Sequence, residues 1–335
     1  MTVSDRTDLL DLVERLPRQR VVMLGDLVAD ESVYGEITRV SREAPVLILR
    51  ERERQIVPGG GGNAANNLAA LGARVLPVGV VGEDAPGEAL IQYFQSRQIS
   101  TRYIVRAKNH PTPTKTRVLG GLSHWQRQQI VRVDREPNQP LAEEVRARVT
   151  RTAGARLKNS TALLVADYGY GTTTARDVEL LRKNAGRPSL PITIDSRYDL
   201  PSYKNLTAAT PNEPELESAF GQPIGNDLER LHELGKTFLL RQHLQALLVT
   251  RGRDGMALFE PRRAPQHIPV FGSDQAVDVT GAGDTVIAAF TLALAAGASF
   301  LSAARLANVA GGLVVMKRGT ATVSREEIRE AIRNS

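Results

Sequence analysis

Five times along this chain a short apolar run stops on a small or acidic residue and gives way to a helical pattern, and that rhythm restricts the fold more than any other feature. Val21-Val22-Met23-Leu24 ends in Gly25-Asp26, and Arg74 to Val81 closes on Gly82-Glu83-Asp84. Leu163-Leu164-Val165 closes on Ala166-Asp167, Ile192-Thr193-Ile194 on Asp195, and Leu247-Leu248-Val249 on Thr250. Helical spacing covers 9–16, 63–71, 87–96, 142–157, 174–184, 213–220 and 227–242. Apolar strands alternating with helices predict an α/β fold with a mostly parallel, doubly wound sheet and helices on both faces. Ligands of such sheets bind beyond the carboxyl ends of the strands, so Asp26, Asp167, Asp195 and Thr250 are expected along one rim. A single polar residue there could simply close a loop; the recurrence argues for a site.

Two stretches break the rhythm. Residues 34–57 and 113–134 alternate apolar and polar side chains, as half-exposed antiparallel strands do. They predict one small lid sheet built from two insertions. No linker separates them and no unit of 20 to 50 residues repeats, so residues 1–335 are expected to form one domain. A small sheet with an apolar face is marginal alone, and a homodimer through the lid would cover it.

Composition removes several function classes. Cysteine is absent, which excludes thiolate metal sites, iron–sulfur clusters and cysteine nucleophiles. The net charge of +6 permits anionic partners, yet aromatics are 4% of the chain, too few for a nucleic-acid surface of stacked bases; the Arg50 to Arg54 run reads as a solvated lid edge. The first twenty residues mix charges with leucines and show no export signal, so a cytoplasmic location is expected. Val286 to Ala304 carries no charge but is alanine-rich, and it reads as a buried core helix broken near Gly297 rather than a membrane span.

The stretch Asp278-Val279-Thr280-Gly281-Ala282-Gly283-Asp284 places small residues ahead of an apolar helix expected to begin near Thr285. Unhindered backbone N–H groups at a helix start form an anion site, so this stretch reads as a phosphate cradle. Asp284 would face a hydroxyl attacking that phosphate and could accept its proton, or it could only cap the helix. A second glycine loop, Pro58-Gly59-Gly60-Gly61-Gly62-Asn63, opens another helix; it predicts close backbone approach to a ligand or a hinge for the lid, with Asn63 placed to bond a sugar hydroxyl. Asn212-Glu213-Pro214-Glu215 opens a third helix, where its acidic groups could complement the helix dipole or organise hydrated Mg²⁺. Gly235-Lys236-Thr237 lacks the glycine a P-loop needs, since that position is Arg230. The five histidines form no zinc pair, no G-x-S-x-G occurs, and the first strand lacks G-x-G-x-x-G.

PGGGGNAANN, TPNEPE, VTRGRDG and DVTGAGD stand in one order along the chain, which resembles the ribokinase (PfkB-type) sugar kinase family over nearly its whole length. Within that family GDLVADESVYGEITRVSREAPV, PTPTKTRVL, QQIVRVDRE and KRGTATVS resemble the bacterial branch that phosphorylates D-glycero-D-manno-heptose 7-phosphate at its anomeric hydroxyl. The resemblance implies a ribokinase-like fold, ATP and Mg²⁺ as cofactors and a sugar phosphate as partner. It makes Asp284 the catalytic base and the amides of Gly281, Ala282 and Gly283 the anion hole. Asp26, Asp30, Gly60, Gly61 and Asn63 match sugar-contact positions, and the lid cations Lys115 and Arg117, with Arg39, Arg42 and Arg132, suit a phosphorylated sugar. Asn212 and Glu215 match the element that organises Mg²⁺ through water. Thr250, Gly252, Gly255 and Asn308 match nucleotide-contact positions, and Asp278 and Thr280, with Gly319-Thr320, match a potassium loop.

The chain departs from the family pattern at Val279, at the run of four glycines, at Glu31-Ser32-Val33 and at Ser196-Arg197 after Asp195. Those departures leave the kinase assignment intact and leave open a ketose phosphate or 2-keto-3-deoxygluconate as acceptor; the alternative from another class is a non-catalytic sugar-binding regulator of the same fold, against which the intact Asp284 argues. The bifunctional heptose enzymes add a nucleotidyltransferase domain with an HxGH motif; none occurs in these 335 residues, so if the chain belongs to that pathway a separate protein is expected to complete activation.

Overall fold

The structure, a computed structural model, describes residues 3–121, 128–273 and 275–335. Its strands are β1 (Arg20–Gly25), β2 (Leu27–Val40), β3 (Leu47–Gly60), β4 (Arg74–Gly82), β5 (Ile104–Ala107), β6 (Thr114–Gly121), β7 (Gln128–Arg135), β8 (Ala162–Asp167), β9 (Ile192–Ser196), β10 (Ala208–Ala209), β11 (Ala246–Thr250), β12 (Met256–Phe259) and β13 (Gln266–Ile268). Nine of them form one sheet in the order β13-β12-β11-β10-β9-β8-β1-β4-β5. Every pair from β11 to β5 is parallel, and β12 and β13 add an antiparallel edge.

Helices α1 (Val3–Arg15), α2 (Gly61–Ala70) and α3 (Ala85–Ser96) pack on one face. Helices α4 (Glu143–Leu157), α5 (Ala175–Ala185), α6 (Glu213–Phe220) and α7 (Leu228–Arg241) cover the other. Helices α8 (Ala282–Ala295), α9 (Phe300–Val314) and α10 (Arg325–Arg333) return to the first face. Strands buried on both sides explain why β1, β8 and β11 read as continuous apolar runs. The uncharged 286–304 stretch is the α8–α9 hairpin, turned at Gly297 with φ 83° and packed in the core. Among the described residues no helix is long and apolar enough to cross a membrane.

The lid is a four-stranded sheet, β3-β2-β6-β7. Two outer pairs are antiparallel as expected, but the central β2–β6 pair is parallel, because both strands run outward from the core. Residues 122–127 of the second lid stretch lie outside the described residues. Only Asp26 separates β1 from β2, and β3 runs into α2 at Gly60–Gly61 without a loop. The inner end of β2, Leu27 to Glu31, is buried; β7 is exposed throughout.

Candidate active site

A polar cavity of about 320 Å³ lies beyond the carboxyl ends of the central strands, under the lid. Asp284, Gly281 and Gly283 line one side, Asp30, Lys115 and Arg117 the lid side, and Asp195, Asn212, Glu215 and Thr250 the strand ends. The sequence placed all of these at the site. Tyr168, Arg197 and Thr210 also line it and had carried no expectation. Each follows a strand end within two residues, which is the one signal that could have found them.

Helix α8 starts at Ala282, earlier than the expected Thr285. Asp284 therefore does not cap the helix: Gly281 holds the N-cap position at φ 75°, with no side-chain cap. A β-carbon at Gly281 would stand 2.5 Å from Asn63 Nδ2, so glycine is required there by conformation and by space. The amides of Gly281 and Gly283 take no backbone carbonyl, whereas Ala282 donates to Val279 O at 3.2 Å and does not line the cavity. Of the three amides expected in the cradle, those of Gly281 and Gly283 are therefore left open toward the cavity, while that of Ala282 is engaged.

The Asp284 carboxylate is buried and doubly held. Tyr168 Oη donates to its Oδ1 at 2.6 Å, and Asn63 Nδ2 donates to its Oδ2 at 2.9 Å. Burial pushes this carboxyl up to about 7, and those two donors limit the rise. Tyr168 is itself pushed well up, by burial and by the charges of Asp284 and Asp195, so it stays a phenol that donates. Lys115 Nζ sits 5.8 Å over the Tyr168 ring, its pKa lowered by burial and by Arg197.

Asn63 departs from its sugar-contact expectation. It is fully buried, does not line the cavity, and accepts from Asn67 Nδ2 at 3.1 Å; Asn67 Oδ1 in turn accepts from Thr285 Oγ1 at 3.0 Å. This chain of bonds ties α2 to the first turn of α8. Asp26 departs as well, since its carboxylate accepts from the amides of Tyr168 (2.8 Å), Tyr170 (3.1 Å) and Thr172 (3.1 Å) and does not reach the cavity. Burial raises its pKa against those donors. Asp167 is likewise taken up by Ser196, Tyr203 and the Gly169 amide. Asp26 and Asp167 pin the loop that carries Tyr168 and hold no ligand-facing oxygen.

Gly60 lines the cavity, while Gly61 is buried with its amide on Asp26 O at 3.0 Å. At Gly59 a β-carbon would fall 2.5 Å from Asp30 Oδ2, so the glycine run packs closely and is no loose hinge. Asp30 pairs with Arg117 at 2.9 Å and accepts from Thr320 Oγ1 at 3.1 Å, linking lid to loop.

Asn212 and Glu215 form a capping box at α6: Glu215 N donates to Asn212 Oδ1 at 2.8 Å, and Asn212 N to Glu215 Oε2 at 3.0 Å. Burial raises Glu215, opposed by the Asn212 amide and Arg197, and burial with the charges of Glu215, Asp284 and Asp167 holds Asp195 well up. Two neighbouring carboxylates so poorly neutralised fit a cation held partly through water, as Mg²⁺ prefers. Thr210 Oγ1, buried beside them, has no hydrogen-bond partner among the described residues. Among the described residues no three ligating side chains form a closed metal cage.

The nucleotide positions are split. Thr250 faces the cavity. Gly252 (φ 54°) has open space where a side chain would point, whereas at Gly255 a β-carbon would meet Ile268 O at 2.1 Å. Asn308 is buried and donates to Pro269 O at 2.7 Å, acting as a strut rather than lining the cavity. Asp278 accepts from the Thr280 amide (2.9 Å) and the Gly319 amide (2.8 Å); these donors and Arg117 lower its pKa despite burial.

Residues 18–327 match the family described as pfkB family carbohydrate kinase. The chain belongs to that family. This pfkB carbohydrate kinase is 37% identical over 98% of its length to the bifunctional protein HldE of Pelobacter propionicus, 39% over 92% to that of Geobacter sulfurreducens, and 37% over 93% to that of Haemophilus influenzae. It spans 66%, 61% and 63% of those proteins, less than two thirds of each. Its fold is ribokinase-like. Ribokinase from Arabidopsis thaliana, solved with ribose and ATP, superposes with a TM-score of 0.72 at 22% identity, over 95% of this chain and 99% of that one. Phosphofructokinase-2 from Escherichia coli with fructose-6-phosphate gives 0.73 at 17% identity, over 94% and 98%.

Proposed function

We propose that this kinase transfers the γ-phosphoryl group of ATP to a hydroxyl of a sugar phosphate, with the anomeric hydroxyl of D-glycero-D-manno-heptose 7-phosphate as acceptor. The observation that carries the reading is Asp284, buried at the cavity edge beside the Gly281 and Gly283 amides and held by Tyr168 and Asn63. The hydroxyl oxygen bonds to the γ-phosphorus, the bond from that phosphorus to the bridging oxygen of ADP breaks, and the hydroxyl proton passes to Asp284. The two glycine amides meet the charge on the transferring group. Magnesium bound with ATP neutralises phosphate charge; Glu215 and Asn212 would hold it, through water, with the Asp195 carboxylate beside Glu215. Potassium at Asp278 and Thr280 rests on the family resemblance alone.

A phosphorylated acceptor is favoured by Lys115, which lines the reaction cavity and pairs with no carboxylate among the described residues; an adjoining cavity of about 820 Å³ shares Asp30, Arg117 and Thr280 and adds Arg318 and Asp278, so its two arginines face two carboxylates. Of the lid cations, Lys115 and Arg117 face the site; Arg39 and Arg42 are exposed, and Arg132 pairs with Asp134 at 2.8 Å. The heptose acceptor follows from the heptose-branch resemblance of the lid strands and of the 317–324 loop. A homodimer would cover the exposed lid residues Val40, Leu47, Val131 and Val133, and sedimentation at micromolar concentration tests it. ADP release over a panel of heptose 7-phosphate, free heptose, ketose phosphates and 2-keto-3-deoxygluconate tests the acceptor. Preference for heptose 7-phosphate is expected. Equal turnover of free heptose overturns the phosphate reading, and tight sugar binding without turnover favours the regulator.

A further inference from the structure

Far from the reaction cavity, at the β5 edge of the large sheet, the positions just before and at the start of β5 and one face of α4 enclose an open cavity of about 370 Å³. Four arginines line it: Arg102 beside β5, and Arg148, Arg151 and Arg156 on α4. The α4 residues fall at i, i+3 and i+8, the spacing that keeps side chains on one helical face. Tyr103 stands between two of them, with Arg156 Cζ 5.2 Å and Arg102 Cζ 6.0 Å from its ring. Arg156 Nη1 donates to Tyr103 Oη at 3.3 Å, and its Nε is buried without a partner.

No carboxylate lines this cavity, and among the described residues none pairs with any of the four arginines. The same helix shows the contrast: Arg146, on another face, pairs with Glu143 and with Asp177. Arg182, Arg230 and Arg263 also pair with carboxylates nearby in sequence. Four converging cations in a concave setting repel one another unless an anion joins them. Guanidinium groups present paired N–H donors that match phosphate oxygens, and two of them are preset by stacking on Tyr103.

We propose that this cavity is a second anion site, separate from the reaction cavity, that binds a small ligand carrying two or more phosphate groups. Its volume suits a compact oligophosphate. A single phosphate would engage only part of the cluster, whereas linked phosphates reach the strand side and the helix side together.

Calorimetric titration of the full chain with inorganic tripolyphosphate at about 0.15 M salt tests it. The wild type should show a binding event that Arg148→Gln/Arg151→Gln weakens by about tenfold or more. The KM for Mg-ATP and the Tm of that variant should stay unchanged, which separates the site from the reaction cavity and from folding. Arg15→Gln/Arg18→Gln, which removes the same charge elsewhere, should bind as the wild type does. Superimposable isotherms for wild type and Arg148→Gln/Arg151→Gln overturn the proposal. Equal weakening in the Arg15→Gln/Arg18→Gln variant overturns it too, because net charge alone would then explain the binding.

Discussion

The two glycine-rich helix starts, at α2 and at α8, look alike as strings of residues and differ in what they face. At α8 the backbone opens onto the cavity, with Gly281 and Gly283 on its wall and Asp284 one turn in. At α2 only Gly60 reaches the cavity; Gly61, Gly62 and Asn63 are sealed against β1, β3 and α8. A helix amino end binds an anion only when its N–H groups are reachable. The α8 start is therefore open to an anion, and the α2 start supplies the Asn63 bond that holds Asp284.

The sharpest way to break this division is Asp284→Asn. Asparagine can turn its Oδ1 toward Asn63 and its Nδ2 toward Tyr168, so the local bonds survive while the base is lost. A fall in kcat of about 10² to 10⁴ is expected with ATP affinity nearly unchanged. Near-normal turnover removes Asp284 from the mechanism.

Gly281→Ala comes next. It forces a side chain into φ 75° and against Asn63 Nδ2, so the first turn of α8 must shift. A loss on the order of 10² in kcat is expected from displacing the base and the cradle together. An unchanged kcat would mean that the close packing of the two helix starts is not needed for turnover.

Asn63→Ala reads the α2 side alone. The Asn63 hydrogen bond lowers the Asp284 pKa from where burial alone would put it, so its removal raises that pKa further. Since the base must be ionised, wild-type kcat/KM should rise with pH through about 7, and the variant's rise should move up by about one unit, about a fivefold loss at neutral pH that approaches tenfold below about pH 6. A contact of Asn63 with the sugar would instead raise KM with no shift in the profile.

The smallest effect is on stability. Asp284 has a folded pKa above its unfolded value, so it favours the fold while protonated, and this contribution is lost as pH rises through about 7. Asp284→Asn should thus melt a few degrees above the wild type at pH 8, with the gap closing toward pH 5. Thermal melts across that range check the sign.

The sheet and its rim were legible because buried parallel strands leave unbroken apolar runs, and because βα alternation allows few topologies. The lid was legible from its alternation; the parallel pairing of β2 with β6 was not, since alternation fixes faces and not direction. The open helix start and the place of Asp284 on the cavity wall could be read because small residues ahead of an apolar helix leave backbone N–H groups uncovered, although the same pattern also fits a simple cap. Asp26 and Asn63 were misplaced for one reason: a polar side chain at a strand or helix end looks the same whether it meets a ligand or a backbone amide. Tyr168 and Arg197 were missed because they reach Asp284 and Asp195 only once separate strands are side by side.

The close joins at the roots of the lid tie that sheet to the helix start behind Asp284. β3 becomes α2 with no slack between Gly60 and Gly61, and the third residue of that helix is the one bonded to Asp284. Lid strand, glycine run and the Asn63 side chain therefore form one packed unit, so the position of Asp284 is tied to that of the lid sheet.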